Sequence, residues 1–152
     1  MIVLAVVVVL GAVYMMRGRG SAPAAPDSSA CVNQVLRSGS QGDCVKNAQA
    51  LINLMQTNKL IEACPFTGGK QLALNGQFDA DTEAQAKVIQ AWVNCYNEEE
   101  RLSERLNGQG VIDADTWTSL CTYGYTFPKR TNQGPADILQ AGLAAGQAAG
   151  CR

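Results

Sequence analysis

Six cysteines, Cys31, Cys44, Cys64, Cys95, Cys121 and Cys151, constrain this 152-residue chain more than any other feature. No two stand close enough for a Cys-x-x-Cys pair, so neither a zinc ribbon nor a thioredoxin-like redox site is written here. An even set in a small domain behind an apolar leader reads instead as a disulfide framework, made in an oxidising compartment. The sequence does not choose among the many pairings that six cysteines allow. The length leaves room for one modest domain, which cross-links would brace.

Charge and composition narrow the chemistry. With 12 basic and 13 acidic residues the net charge is -1, so no strong field attracts DNA, RNA or anionic lipid, and no nucleic-acid partner is expected. Histidine is absent. That removes Ser/His and Cys/His nucleophile systems, histidine-ligated zinc and the usual acid–base group at neutral pH. Glycosidase chemistry needs carboxylates alone, and so depends on what the aspartates are doing.

Residues 1–16, "MIVLAVVVVLGAVYMM", are apolar throughout. As a helix they would span about 24 Å, short of a hydrocarbon core of about 30 Å. No basic residue precedes the apolar run; Arg17 and Arg19 follow it. A retained hydrophobic membrane anchor fits this order better than a cleavable signal. The positive-inside rule would keep Arg17, Arg19 and the domain behind them in the cytoplasm, whereas the cysteines ask for an oxidising side. The topology stays open, and the conflict also suits the membrane of a virus particle. On the cysteine argument the domain lies in the periplasm or on the exterior of a cell or virion. Residues 17–34, with "GRGSAPAAPDSSA", read as a flexible linker.

The folded part shows helical periodicity three times. Val45, Ala48, Ile52 and Met55 recur on one face, with Asp43 placed as the N-cap. Thr82, Ala86, Ile89, Val93 and Tyr96 mark a second helix, and Trp117, Leu120 and Cys121 a shorter third. The "CPFTGGKQLALNG" between the first two reads as a loop with room for a small hairpin, and "EEERLSER" as a solvated helical extension carrying i,i+4 ion pairs. The second and third helices each follow an apolar residue and Asp-Ala-Asp-Thr, at 78–82 and 112–116. Asp79 and Asp113 are good N-caps, and Asp81 and Asp115 fall where the helix dipole favours negative charge. A calcium loop would need glycine at its sixth position and an acid at its twelfth. Those positions are Ala84 and Gln90 in one copy, Thr118 and Gly124 in the other. With the carboxylates used as caps, no metal site, cofactor or catalytic pair is expected, and the chain is not read as an enzyme.

Three ordered blocks, "LRSGSQGDCVKNAQALIN", "NGQFDADTEAQAKVIQAW" and "GQGVIDADTWTSL", resemble the bacterial peptidoglycan-binding domain, a three-helix non-catalytic module of cell-wall hydrolases. Leu36, Gly39, Gly42, Val45 and Gln49 match the first block. Gly76, Phe78, Thr82 and Gln90 match the second, and Thr116, Trp117 and Leu120 the third. The resemblance covers roughly 35–123. It departs where Asp79 and Asp113 replace the family's glycine, and where Asn75 and Gln109 replace its aspartate. Gly39, Gly42 and Gly76 would set turns, Phe78 and Leu120 would sit in the core, and Gln49 and Gln90 would satisfy loop backbone groups. Asn75, Gln77, Trp92, Tyr96, Gln109 and Trp117 are the residues that would meet glycan or stem peptide.

The resemblance thus implies a mainly α, disulfide-braced, three-helix peptidoglycan-binding-like domain at 35–123, behind an N-terminal hydrophobic anchor helix. Its expected function is membrane-anchored, non-catalytic peptidoglycan (cell wall) binding, with peptidoglycan and the membrane as partners. The rival expectation is a structural protein of a membrane-containing phage virion or envelope assembly, using the fold for protein contacts or host-wall engagement. Residues 124–152 form an Ala/Gly-rich tail in which Pro135 can open a helix. Gly142, Gly146 and Gly150, four apart, would let another helix approach, including one from an envelope or virion protein.

Overall fold

A computed structural model describes residues 30–57 and 64–152. The anchor expected at 1–16 and most of the linker at 17–34 lie outside the described residues. What is described is mainly helical, with no strand and with all six cysteines paired.

Helix α1, Asp43–Met55, is the centre of the molecule. Val45, Ala48, Ile52 and Met55 are buried on the expected face, but Ala50, Leu51 and Leu54 are buried too, because α1 is covered from more than one side. Its N-cap is Gly42, at φ 111° and ψ -167°, and not Asp43. Asp43 stands one residue inside the helix and its side chain makes no capping bond. The reason is close backbone approach. Gly42 N–H donates to the Gly76 carbonyl at 2.9 Å. A Cβ at Gly76 would lie 3.0 Å from the Gly42 carbonyl oxygen.

Helices α2, Ala80–Glu99, and α3, Ala114–Cys121, start at the two Asp-Ala-Asp-Thr segments. The Thr82 N–H donates to Asp79 at 2.8 Å, and the Thr116 N–H to Asp113 at 3.0 Å. Helix α2 stops at Glu99, so only the first two residues of the "EEERLSER" segment are helical. The chain must turn back at Glu100 and Arg101 because Asn97 ties it: its carbonyl accepts from Leu102 N–H, and its side-chain amide donates to the Glu104 carbonyl. The ion pair found there, Arg105–Glu98 at 3.6 Å, joins two exposed groups across the turn. No hairpin forms in 64–76; the loop is irregular.

The two halves of this architecture are wired alike. Gln49 of α1 accepts from Gly76 N–H and donates to the Gln77 carbonyl and the Thr82 hydroxyl. Gln90 of α2 accepts from Gly110 N–H and donates to the Val111 carbonyl and the Thr116 hydroxyl. Four residues after each glutamine an asparagine closes a two-bond clamp on a leucine backbone. Asn53 clamps Leu72 and Asn94 clamps Leu106. Gly76 and Gly110, at φ 67° and 79°, take the left-handed turn that each glutamine fixes. Each turn then pairs with the N-terminal segment. Leu36 and Ile112 exchange both backbone bonds at 2.9 Å, and Phe78 N–H donates to the Ser40 carbonyl at 2.9 Å.

Beyond α3 the helix continues through a π-helical turn, Thr122–Thr126, into α4, Phe127–Thr131. Helix α5, Ala136–Ala149, follows Pro135 and lies along α1. The expectation for the tail is corrected here. Its glycine spacing does admit a neighbouring helix, and that neighbour is the chain's own α1. A Cβ at Gly142 would come 2.7 Å from Leu54 Cβ, and one at Gly146 would strike the Tyr125 ring. Gly142 and Gly146 are therefore turned into the protein, and Gly150 is the left-handed C-cap. Gly124 likewise lets the π turn approach Leu51, whose carbonyl would be 2.9 Å from an added Cβ.

Three bridges, Cys31–Cys44, Cys64–Cys95 and Cys121–Cys151, tie the periphery to this core. The folded unit begins earlier than the boundary at 34/35. Cys31 is buried in a 3-10 turn, Cys31–Asn33, and is bonded to α1. It also ends later than 123, since Leu139, Ala145 and Ala149 of α5 are buried.

Candidate binding groove

A groove of about 930 Å³ lies where the 3-10 turn, the α3–π-turn helix and the end of α5 converge. One wall is a row of hydroxyls, Thr118, Thr122 and Thr126, each about one turn from the next. Thr118 donates to the Ala114 carbonyl at 2.9 Å, and Thr126 to the Arg152 carbonyl at 3.4 Å. Their oxygens keep lone pairs to offer a ligand. The facing wall is Gln147, Ala148 and Gly150, held to the first by the Cys121–Cys151 bridge. Asn33 and Val32 of the 3-10 turn close one end, braced by the Trp117 indole, which donates to the Gln34 carbonyl at 2.8 Å. Arg152 is the one residue in the lining with an ionisable side chain. The lining holds amides, hydroxyls, one guanidinium and small apolar groups, which can hydrogen-bond a polar ligand.

A second cluster gathers aromatic rings beside the Cys64–Cys95 bridge. Trp92 stacks on Phe66 at 4.9 Å and on Tyr96 at 5.4 Å, and meets Tyr123 edge-on at 5.4 Å. Burial raises the Tyr123 phenol above its ordinary value, helped by Tyr96, Glu104 and Glu100. A third feature, a cleft of about 230 Å³, is lined by Arg37, Ser38, Glu83 and the Gln109–Val111 turn. Among the described residues no group of three metal-ligating side chains converges, and no helix is long and apolar enough to cross a membrane.

The six residues expected to meet a ligand are scattered by the fold. Trp117 is 1% exposed and Trp92 3%, so neither indole has a face on which a sugar could stack. This corrects the expectation for both tryptophans: each ring is consumed by core packing. Tyr96 is half-buried within the aromatic cluster. Asn75 and Gln77 lie exposed at the first turn, where the Asn75 carbonyl oxygen accepts from Gln49 and from Gln77 N–H, so Asn75 serves the turn itself. Gln109 lies at the second turn, in the small cleft. Only Trp117 touches the large groove, from beneath.

Of the matched family positions, Leu36, Val45, Gln49, Phe78, Thr82, Gln90, Thr116 and Leu120 are buried, and Gly39, Gly42 and Gly76 have positive φ. The groove residues on α5 went unread because they lie outside the matched blocks. The clamps Asn53 and Asn94 had a signal that went unused: "QALIN" on α1 and "QAWVN" on α2 repeat the same glutamine and asparagine spacing. No family model, curated protein or solved structure matches the chain.

Proposed function

We propose that this protein binds peptidoglycan without catalysis, and that its apolar N-terminal segment anchors it to a membrane. The observation that carries the reading is the doubled turn. Two turns that lead into Asp-Ala-Asp-Thr are each locked by a buried glutamine bonded to a threonine, Gln49 to Thr82 and Gln90 to Thr116, and these four residues are among the positions on which the resemblance to peptidoglycan-binding domains rests. The groove adds support, since its amide and hydroxyl lining suits glycan and peptide. A three-helix module accounts for 35–123; the tail helix and the bridges are this chain's additions to it.

The test uses the full-length protein, oxidised, in mild detergent. It is expected to co-sediment with purified sacculi above an unrelated control, and to leave their turbidity unchanged. Sedimentation no better than the control across several wall chemotypes removes the reading, and clearing of the suspension removes its non-catalytic part. The burial of Trp92 and Trp117 favours a second reading, in which a virion or envelope assembly uses the fold for protein contacts. That reading gains if sacculi are ignored.

A further inference from the structure

We infer that Asn107 is a site of spontaneous covalent modification, converting to aspartate and isoaspartate by ring closure with Gly108, and that the change loosens the start of α3. The chain writes Leu-Asn-Gly-Gln twice, at 74–77 and 106–109, and these copies hold its two Asn-Gly pairs. Glycine leaves the nitrogen after an asparagine unshielded by any Cβ and free to swing. That nitrogen gives up its proton to water and attacks the asparagine Cγ. The Cγ–Nδ2 bond then breaks, and ammonia leaves with a proton in place of the one lost. Water opens the cyclic imide at Cγ to give aspartate, or at the main-chain carbonyl to give isoaspartate. One water is consumed, one ammonia is released, and nothing is oxidised. The electrophile is prepared alike in both copies. Asn75 Oδ1 accepts from Gln77 N–H at 2.9 Å and Asn107 Oδ1 from Gln109 N–H at 3.0 Å, so each has a donor on the oxygen where negative charge gathers during attack. The nucleophile differs. Gly76 is buried and its N–H donates to Gln49 Oε1 at 3.0 Å, a bond that ring closure would forfeit inside the protein. Gly108 is exposed, its N–H has no acceptor among the described residues, and nothing lies within 4 Å of where its Cβ would be. The consequence falls on Asp113. Asn107 Nδ2 donates to Asp113 Oδ2 at 2.9 Å, while Asp113 Oδ1 accepts from Thr116 N–H to cap α3. Loss of the amide replaces that donor with a second carboxylate and sets like charges together at the cap.

The experiment ages the full-length oxidised protein in mild detergent at mildly alkaline pH, beside a sample reduced and unfolded in guanidinium. Portions taken over time are reduced, digested with trypsin and weighed, and fragment masses place any change. In the folded sample peptide 106–129 should gain about 1 Da at Asn107, NH2 exchanged for OH, at least about tenfold faster than peptide 71–87 does at Asn75. In guanidinium the two should change at similar rates, because the tetrapeptide is the same. Equal rates in the folded protein overturn the site, as does a folded Asn107 that stays intact while the unfolded one reacts. The link to the cap is tested with Asn107→Asp, a change at an exposed side chain. Its urea midpoint at neutral pH should fall below that of the wild type, by a margin that shrinks as salt is added. A midpoint equal to that of the wild type, or a margin indifferent to salt, overturns the link. Neither readout depends on whether the protein binds peptidoglycan.

Discussion

Asp79 and Asp113 show how a single side chain can suggest chemistry and supply architecture. Each accepts the N–H of the threonine three residues on, and neither has a metal-binding neighbourhood among the described residues. Asp79→Ala and Asp113→Ala should each cost about 0.5–2 kcal/mol in urea unfolding, and the asparagine variants much less. Calcium or EDTA should leave the midpoint unchanged. Asp79 adds a pH signature. The Thr82 backbone N–H, then its hydroxyl, hold the carboxyl below its ordinary value against a small effect of burial. A folded-state value below the unfolded one stabilises the protein above the unfolded pKa of about 3.9, and that contribution fades as pH falls through the folded pKa. Urea midpoints followed downward from neutral pH should therefore decline less steeply in Asp79→Asn than in the wild type. These caps were legible because the motif occurs twice. Asn53 and Asn94 repeat as well, at the same spacing from Gln49 and Gln90, but repetition does not give their role, because an asparagine within an amphipathic run reads as a solvent-facing polar residue until its partner loop is known.

At the scale of elements, α1, α2 and α3 follow from their periodicity, while the tail required three dimensions. An Ala/Gly-rich segment has weak propensity by itself; packing decides its fate. The sequence did hold one hint, the breadth of the apolar face on α1, where Ala50, Leu51 and Leu54 lie off the expected stripe and need a second cover. Helix α5 provides it, and the glycines are the points of contact. Replacing a helical glycine by alanine in open space gains about 1 kcal/mol. At Gly142 and Gly146 the added methyl meets Leu54 and the Tyr125 ring, and overpacking of about 1–3 kcal/mol should outweigh that gain. Gly142→Ala and Gly146→Ala are thus expected to lower the melting temperature, whereas Gln140→Ala on the exposed face of α5 should not. A melting temperature raised by Gly142→Ala would show that α5 does not pack on α1 in this way, and one raised by Gly146→Ala that it does not pack on the π turn. The end of α2 was misjudged for the complementary reason. Charge spacing in "EEERLSER" supports a helix, but Asn94 and Asn97 pull the chain back over it, and those bonds are invisible to local pattern.

For the whole molecule, the even cysteine count predicted cross-links and left their partners undetermined; only proximity in the fold resolves them. Intact mass should rise by about 6 Da on reduction, two hydrogens for each of three bridges. Trypsin can cut inside every loop, at Arg37, at Lys70 and Lys87, and at Lys129, so non-reducing digests should yield three specific linked pairs. Any pair joining cysteines of different loops would contradict the fold. The double change Cys121→Ser and Cys151→Ser should cost about 2–5 kcal/mol, since it frees α5 from α3. The order of the pairing has a consequence for biosynthesis. Each cysteine bonds to the next one along the chain, so the three loops neither nest nor cross. A polypeptide emerging from its N-terminal end can seal each loop as soon as the second thiol appears, with no earlier thiol left waiting for a distant mate. Refolding from the reduced chain with a simple oxidant should therefore reach the native set without a disulfide isomerase.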